Sequence, residues 1–151
     1  MEMAVSAVIG QKVDISKMKL GAGTYDGKAN FKDLNNIMEN DIILDIGPQT
    51  MKKINKIIDA SKTVLWNGPA GYFENPHFAN GSIKIAKKII KKNIASEIYS
   101  VAGGGDTVSL LNDLNAINNF DFVSTAGGAF LEYLEGKELP GIRALNLNVR
   151  T

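Results

Sequence analysis

The chain has 151 residues and a formal net charge of +1, with 44% apolar residues, 22% charged residues and no cysteine. That length fits one domain able to bury roughly 70% of its unfolded surface without a covalent staple. The lack of Cys excludes a disulfide framework and any thiolate ligand or nucleophile. Near-neutral charge excludes a global field drawing the chain to nucleic acid or an anionic membrane. No run approaches the ~18 apolar residues of a membrane helix. Met1 to Gly10, with Glu2 and a short apolar run from Ala4 to Ile9, lacks the basic start and long apolar core of a secretory signal. A cytoplasmic protein with neither nucleic-acid nor membrane partners is expected. The 17 Ile, 15 Asn and 15 Lys against 2 Arg suit an AT-rich coding sequence, so single Lys and Asn residues carry little weight.

Residues 1–40 show no clear period, although a strand can be placed in Ala4 to Ile9. From Asp41 the pattern alternates. Ile42 to Ile46 reads as a buried strand ended by Gly47-Pro48, and Gln49 to Ala60 as a helix with Met51, Ile54, Ile57 and Ile58 at helical spacing. Thr63 to Trp66 is a second strand, closed by the loop Asn67-Gly68-Pro69-Ala70-Gly71. A helix from Phe78 to Lys92, a strand from Glu97 to Ala102 and a helix from Asp106 to Asn115 follow. Phe120 to Ser124 and a helix to Glu135 complete the series. Strand followed by helix, four times, predicts an α/β domain: a Rossmann-like parallel sheet flanked by helices in three α/β/α layers.

Ligands of such sheets bind at the carboxyl ends of the strands, and three of the loops there are unusual. Gly103-Gly104-Gly105-Asp106-Thr107 joins a strand to a helix, so backbone N–H groups can approach an anion without Cβ interference and the helix start suits phosphate. Asp106 there could meet a nucleotide-borne metal ion or simply cap the helix, and Thr107 adds a hydroxyl. Ser124-Thr125-Ala126-Gly127-Gly128-Ala129 also puts small residues between strand and helix, for backbone donors to a phosphoryl group or for close packing. In Trp66 to Glu74, Asn67 could donate to phosphate and Glu74 accept from ribose while the aromatics wall a base. The alternative makes Trp66 and Phe73 core and Glu74 a solvated carboxylate.

Other features do not hold up. Gly21 to Lys28 has P-loop-like glycines, but Ala29 follows Lys28 where Ser or Thr is needed. His77, the only histidine, reads as a loop residue. Lys84, Lys87, Lys88, Lys91 and Lys92 read as a solvated helix face.

Taken in order, Trp66-Asn67-Gly68-Pro69-Ala70-Gly71-Tyr72-Phe73-Glu74, Gly103 to Thr107, Ser124 to Ala129, Leu134 to Gly141 and the upstream Asp45-Ile46-Gly47-Pro48 resemble the motifs of phosphoglycerate kinase. The resemblance covers about residues 41–145 and leaves 1–40 as a poorly matched, partly disordered segment. It implies a reaction, reversible phosphoryl transfer between 1,3-bisphosphoglycerate and ADP giving 3-phosphoglycerate and ATP, in which this part of the family fold holds Mg2+ with ADP or ATP. It further implies that Asp106 meets the nucleotide-bound magnesium, that Gly104, Gly105 and Thr107 hold phosphates, and that Asn67 reaches them too. Glu74 would bind the ribose, Pro69 would line the adenine, and Gly127 and Gly128 would donate to the migrating phosphoryl group. Ala126 stands where the family more often has glycine. The resemblance also implies that the 3-phosphoglycerate half and the family's Gly-Gly-Ala-Lys-type segment are absent. The domain would then be incomplete, with exposed strand edge, and the isolated chain would be inactive unless a complementary chain joins it.

Overall fold

The computed structural model describes residues 6–11, 30–39 and 41–148. The loosely P-loop-like stretch Gly21 to Lys28 lies outside the described residues, as does most of the segment expected to be partly disordered. The chain forms two compact units, one of residues 1–61 and 69–92 and the other of residues 62–68 and 93–151.

In the first unit, β1 (Ser6–Gln11), β2 (Asn30–Asp33) and β3 (Asp41–Ile46) form an antiparallel sheet in the order β2-β1-β3. Ser6 pairs with Asp33, and Ala7 with Ile46, with a bulge at Val8/Ile9 in the β1–β3 ladder. The strand placed at Ala4 to Ile9 is therefore present, slightly displaced. The strand at Ile42 to Ile46 is present too, but it does not join the parallel sheet. Its hydrogen bonds go to β1, supplied by the weakly patterned start of the chain, and strand–helix alternation alone does not reveal that.

Helix α1 (Pro48–Ala60) starts with a proline whose fixed φ suits the first turn, and it buries Thr50, Met51 and Ile58. Helix α2 (Asn80–Ile94) buries Ser82, Ile85, Ala86 and Ile89 at three- and four-residue spacing. Its lysines are not all solvated as expected. Lys88 pairs with Asp59 at 2.5 Å, and Lys92 is buried and donates to the Asp59 carbonyl at 2.9 Å. A cation thereby meets one of the last carbonyls of α1, where the helix dipole favours it.

In the second unit, β4 (Thr63–Asn67), β5 (Tyr99–Gly103) and β6 (Phe122–Val123) form a parallel sheet in the order β4-β5-β6. Trp66 and Ala102 pair in register and are buried, and Trp66 stacks on Phe120 with ring centroids 6.3 Å apart. On the alternate positions Leu65 and Phe122 stay 44% and 47% exposed. Three helices complete the unit: α3 (Gly105–Asp113), α4 (Gly128–Leu134) and α5 (Pro140–Asn148). The α/β class with a parallel sheet flanked by helices is thus as the sequence predicts. Helix α5 is additional to the elements read from the sequence, and it starts at Pro140, whose fixed φ suits a first turn.

Two caps end helices by the same device. Asn115 (φ 51°) follows α3, with Ala116 N–H donating to Leu111 O and Asn115 N–H to Asn112 O; Gly136 (φ 81°) does likewise after α4. These are Schellman closures, in which a left-handed residue lets the last carbonyls find donors.

One polar network ties β5 to the segment entering β6. Asp121 accepts from the Ser100 N–H at 2.6 Å, from the Ser100 hydroxyl at 3.0 Å and from the Asn93 amide, while the Asp121 N–H donates back to Ser100 Oγ at 3.1 Å. The Ser100 backbone bond, ahead of the side-chain bonds, holds the Asp121 carboxyl below its ordinary range. A depressed carboxyl stabilises the fold above its unfolded value and loses that contribution as pH falls through its folded value. Asp121→Asn should therefore lower the denaturation midpoint at pH 7, and the gap from wild type should shrink as pH falls below the ordinary carboxylate range, read by urea denaturation across pH.

Candidate functional site

The register of the parallel sheet sets the site. Asn67 lies opposite Gly103, and Ala102 lies opposite Val123. The carboxyl ends of β4, β5 and β6 therefore finish level at Asn67, Gly103 and Ser124, with Ser124 N–H adding a bond to Ala102 O at 2.8 Å.

Each turn beyond that edge has a local cause. After β4, Gly68 takes φ 90° and its N–H donates to Thr107 Oγ1 at 2.7 Å, joining this turn to the first turn of α3. After β5, a Cβ on Gly103 would sit 3.0 Å from Phe130 of α4, so the position must stay small. Gly104 adopts φ 88°, and a Cβ there would fall 2.5 Å from Asn67 Oδ1. The Asn67 amide thus lies directly over the Gly104 backbone. After β6, Ser124 Oγ accepts from Ala126 N–H at 3.2 Å in a hydroxyl-closed turn, and Gly127 (φ 55°, ψ −134°) takes a conformation suited to glycine before α4 begins. A Cβ on Gly105, Gly127 or Gly128 would meet nothing within 4 Å, so the space beside those three backbones is open.

The side chains sort clearly. Asp106 is exposed in the first turn of α3, whose N-cap is Gly104 with no side-chain capping bond. Asp106 is therefore not the helix cap. Thr107 is fully buried, so its hydroxyl acts inside the fold by accepting from Gly68. Trp66 is core, which removes it as the wall of a base pocket.

Pro69 and Glu74 lie in the other unit. Pro69 is half-buried and Glu74 exposed. Their segment is fixed at three successive residues. Ala70 N–H donates to Ser82 Oγ at 2.8 Å, Gly71 packs against Asp45, where a Cβ would come within 2.6 Å of Oδ1, and Tyr72 N–H donates to Leu44 O at 2.8 Å. Asp45 is buried, and its carboxylate accepts from Gly81 N–H at 2.8 Å and from its own neighbour Ile46 N–H at 2.7 Å. Burial pushes the Asp45 carboxyl up, opposed by those two backbone bonds and by Lys84. Asp45 entered the sequence reading only as part of a motif. Its signal is a carboxylate inside the apolar run Ile42 to Ile46, where only a hydrogen-bonded charge is tolerable. His77 is exposed and its N–H bonds Asn75 Oδ1 at 3.0 Å, a loop residue as read from the sequence.

The parallel strands, their level carboxyl ends and the glycine turns define the second unit as an α/β domain that gathers backbone donors at one sheet edge. Comparison makes this specific. The family model for phosphoglycerate kinase matches residues 3–137, and the chain belongs to that family. It is 47% identical over 120 residues to a phosphoglycerate kinase of Bartonella tribocorum, a match covering 80% of this chain and 30% of the relative. Among solved structures, that of phosphoglycerate kinase from Coxiella burnetii superimposes with TM-score 0.79 at 36% identity, covering 94% of this chain and 33% of that one. Phosphoglycerate kinase from Pyrococcus horikoshii OT3 gives TM-score 0.72 at 28% identity, covering 97% and 33%. The chain thus spans about a third of the length of the relatives it matches, and the family match begins well upstream of Asp41.

The glycines make a direct test of this geometry. Gly104→Ala should destabilise by more than about 1 kcal/mol, since alanine is strained at positive φ and would collide with Asn67. Gly105→Ala, without positive φ and with open space, should be neutral or slightly stabilising. Thermal denaturation of the two variants should show the difference.

Proposed function

We propose that this chain supplies the nucleotide-holding half of a phosphoglycerate kinase, which transfers a phosphoryl group between 1,3-bisphosphoglycerate and ADP to give 3-phosphoglycerate and ATP. The observation that carries the reading is Asp106: an exposed carboxylate in the first turn of α3, free of any capping role, beside the open backbone of Gly105. A carboxylate at a helix start leaves two tasks, and meeting a cation carried by phosphate oxygens is the one its geometry favours.

Among the described residues no group of three or more His, Cys, Asp or Glu gathers around a metal-sized point. A lone Asp106 suits an ion whose other ligands come with the nucleotide. Magnesium so held would neutralise charge on the phosphates when bound. Gly104, Gly105 and Thr107 would hold phosphate through backbone N–H groups at the start of α3. Asn67, fixed over Gly104, would donate to the same anion. Gly127 and Gly128 would present N–H groups to the phosphoryl group in transit, where fixed donors stabilise spread negative charge. Glu74 would accept from ribose hydroxyls and Pro69 would line the adenine. The phosphoglycerate would be held by another part of the enzyme, in this polypeptide or a complementary chain. No helix among the described residues is long and apolar enough to cross a membrane, and the family reading makes this an enzyme of cytoplasmic glycolysis.

Calorimetry with Mg-ADP tests the reading. The chain should show one saturable binding event, weakened tenfold or more by Asp106→Ala, a change of about 1.4 kcal/mol. Turnover in a coupled assay should require addition of the phosphoglycerate-holding half. Binding without turnover in any such mixture would favour a bare nucleotide-binding module, and absence of Mg-ADP heat would overturn both.

A further inference from the structure

We infer that Asp45 is a positioning residue for the Pro69–Glu74 segment, acting through contacts that reach three consecutive residues of it. The inference rests on the reading above, in which Pro69 and Glu74 face the nucleoside part of the ligand.

Asp45 and its chain neighbour Leu44 form one side of a small clamp, and Gly81 with Ser82 forms the other. The carboxylate receives the Gly81 N–H at 2.8 Å and so fixes the first turn of α2. The next residue, Ser82, is fully buried and turns its hydroxyl to the Ala70 N–H at 2.8 Å. Across the strand, the Leu44 carbonyl receives the Tyr72 N–H at 2.8 Å. Gly71 lies between these anchors with its Cα directly against Asp45, and a Cβ would meet Asp45 Oδ1, Leu44 O and Phe78 O at 2.6, 2.7 and 2.8 Å. A Cβ on Gly81 would likewise collide with the Asp45 carboxylate and with the Ile46 side chain. The carboxylate therefore fills a hollow that two glycines keep open.

Asp45 touches neither Glu74 nor Pro69 in any hydrogen bond of the structure. Its action is on backbone placement. With Ala70, Gly71 and Tyr72 held, the chain enters the turn where Asn75 N–H bonds Tyr72 O at 3.2 Å and Phe78 N–H bonds Asn75 O at 2.9 Å. Glu74, exposed, sits on that turn. An amide in place of the carboxylate would offer one acceptor where two N–H groups now converge, leaving one of them opposed by an NH2 group.

The test uses the full chain as wild type, Asp45→Asn and Ser82→Ala. Backbone hydrogen exchange is followed by NMR, and calorimetry is run with Mg-ADP and, separately, with Mg-pyrophosphate. Asp45→Asn should speed exchange of the Ala70 and Tyr72 amides tenfold or more while Leu65 and Val101 amides keep their protection. It should weaken Mg-ADP about tenfold and leave Mg-pyrophosphate unchanged, because only the nucleoside side is displaced. Ser82→Ala should give the same pattern more weakly, and it carries the test should Asp45→Asn fail to fold. Unchanged exchange at Ala70 and Tyr72 in folded variants overturns the inference, as does equal weakening of both ligands. A wild-type chain that takes pyrophosphate but not ADP, or neither, overturns instead the nucleoside-facing reading of the segment, and the exchange data still decide whether Asp45 holds it.

Discussion

The second unit depends on one hydrogen bond between two loops that are far apart in sequence: Gly68 N–H to the Thr107 hydroxyl at 2.7 Å. Thr107 is fully buried and Gly68 half-buried, so losing the hydroxyl would take from the Gly68 N–H its partner within the fold. It joins the end of β4 to the start of α3 and puts the Asn67 amide over Gly104. The strand register already sets Asn67 opposite Gly103, and this bond ties the turns beyond that edge to each other. Glycine at 104 is then required twice, by its φ of 88° and by the Asn67 oxygen above it.

Several features were legible in the sequence because their physics is local. The turns announced themselves through Gly103-Gly104-Gly105 and Ala126-Gly127-Gly128, since few other residues tolerate φ 88° or φ 55°. Helices α1 and α2 followed from apolar spacing. What the sequence hid is pairing. Strand β3 looks like the parallel strands, being short and β-branched, yet its partner is β1, across a segment with no period. Asp45, Ser82 and Ser100 were hidden likewise, because a buried polar residue is recognised by its partner and not by its neighbours, and the exposed Asp121 was hidden along with its partner Ser100. Lys92 misled for the opposite reason. Its helical spacing matches that of the exposed lysines, but the α1 carboxyl end lies within its reach.

Two carboxylate arrangements do comparable work in the two units. In one, Asp121 and Ser100 lock β5 to the approach of β6; in the other, Asp45 holds the start of α2. Both place a carboxylate against backbone N–H groups, and at the buried Asp45 that is how the charge becomes tolerable. Both also sit close in sequence to glycine turns. The turns supply conformational freedom, and the carboxylates restrict where that freedom is used.

The central claim is that the level ends of β4, β5 and β6 present backbone donors to one phosphate-bearing ligand. An NMR titration of the isotope-labelled chain with Mg-ADP tests it most directly. The amides of Gly104, Gly105, Asp106, Thr107, Gly127 and Gly128 should shift together along one saturation curve. Shifts that miss those six residues, or that follow two unrelated curves, would contradict it.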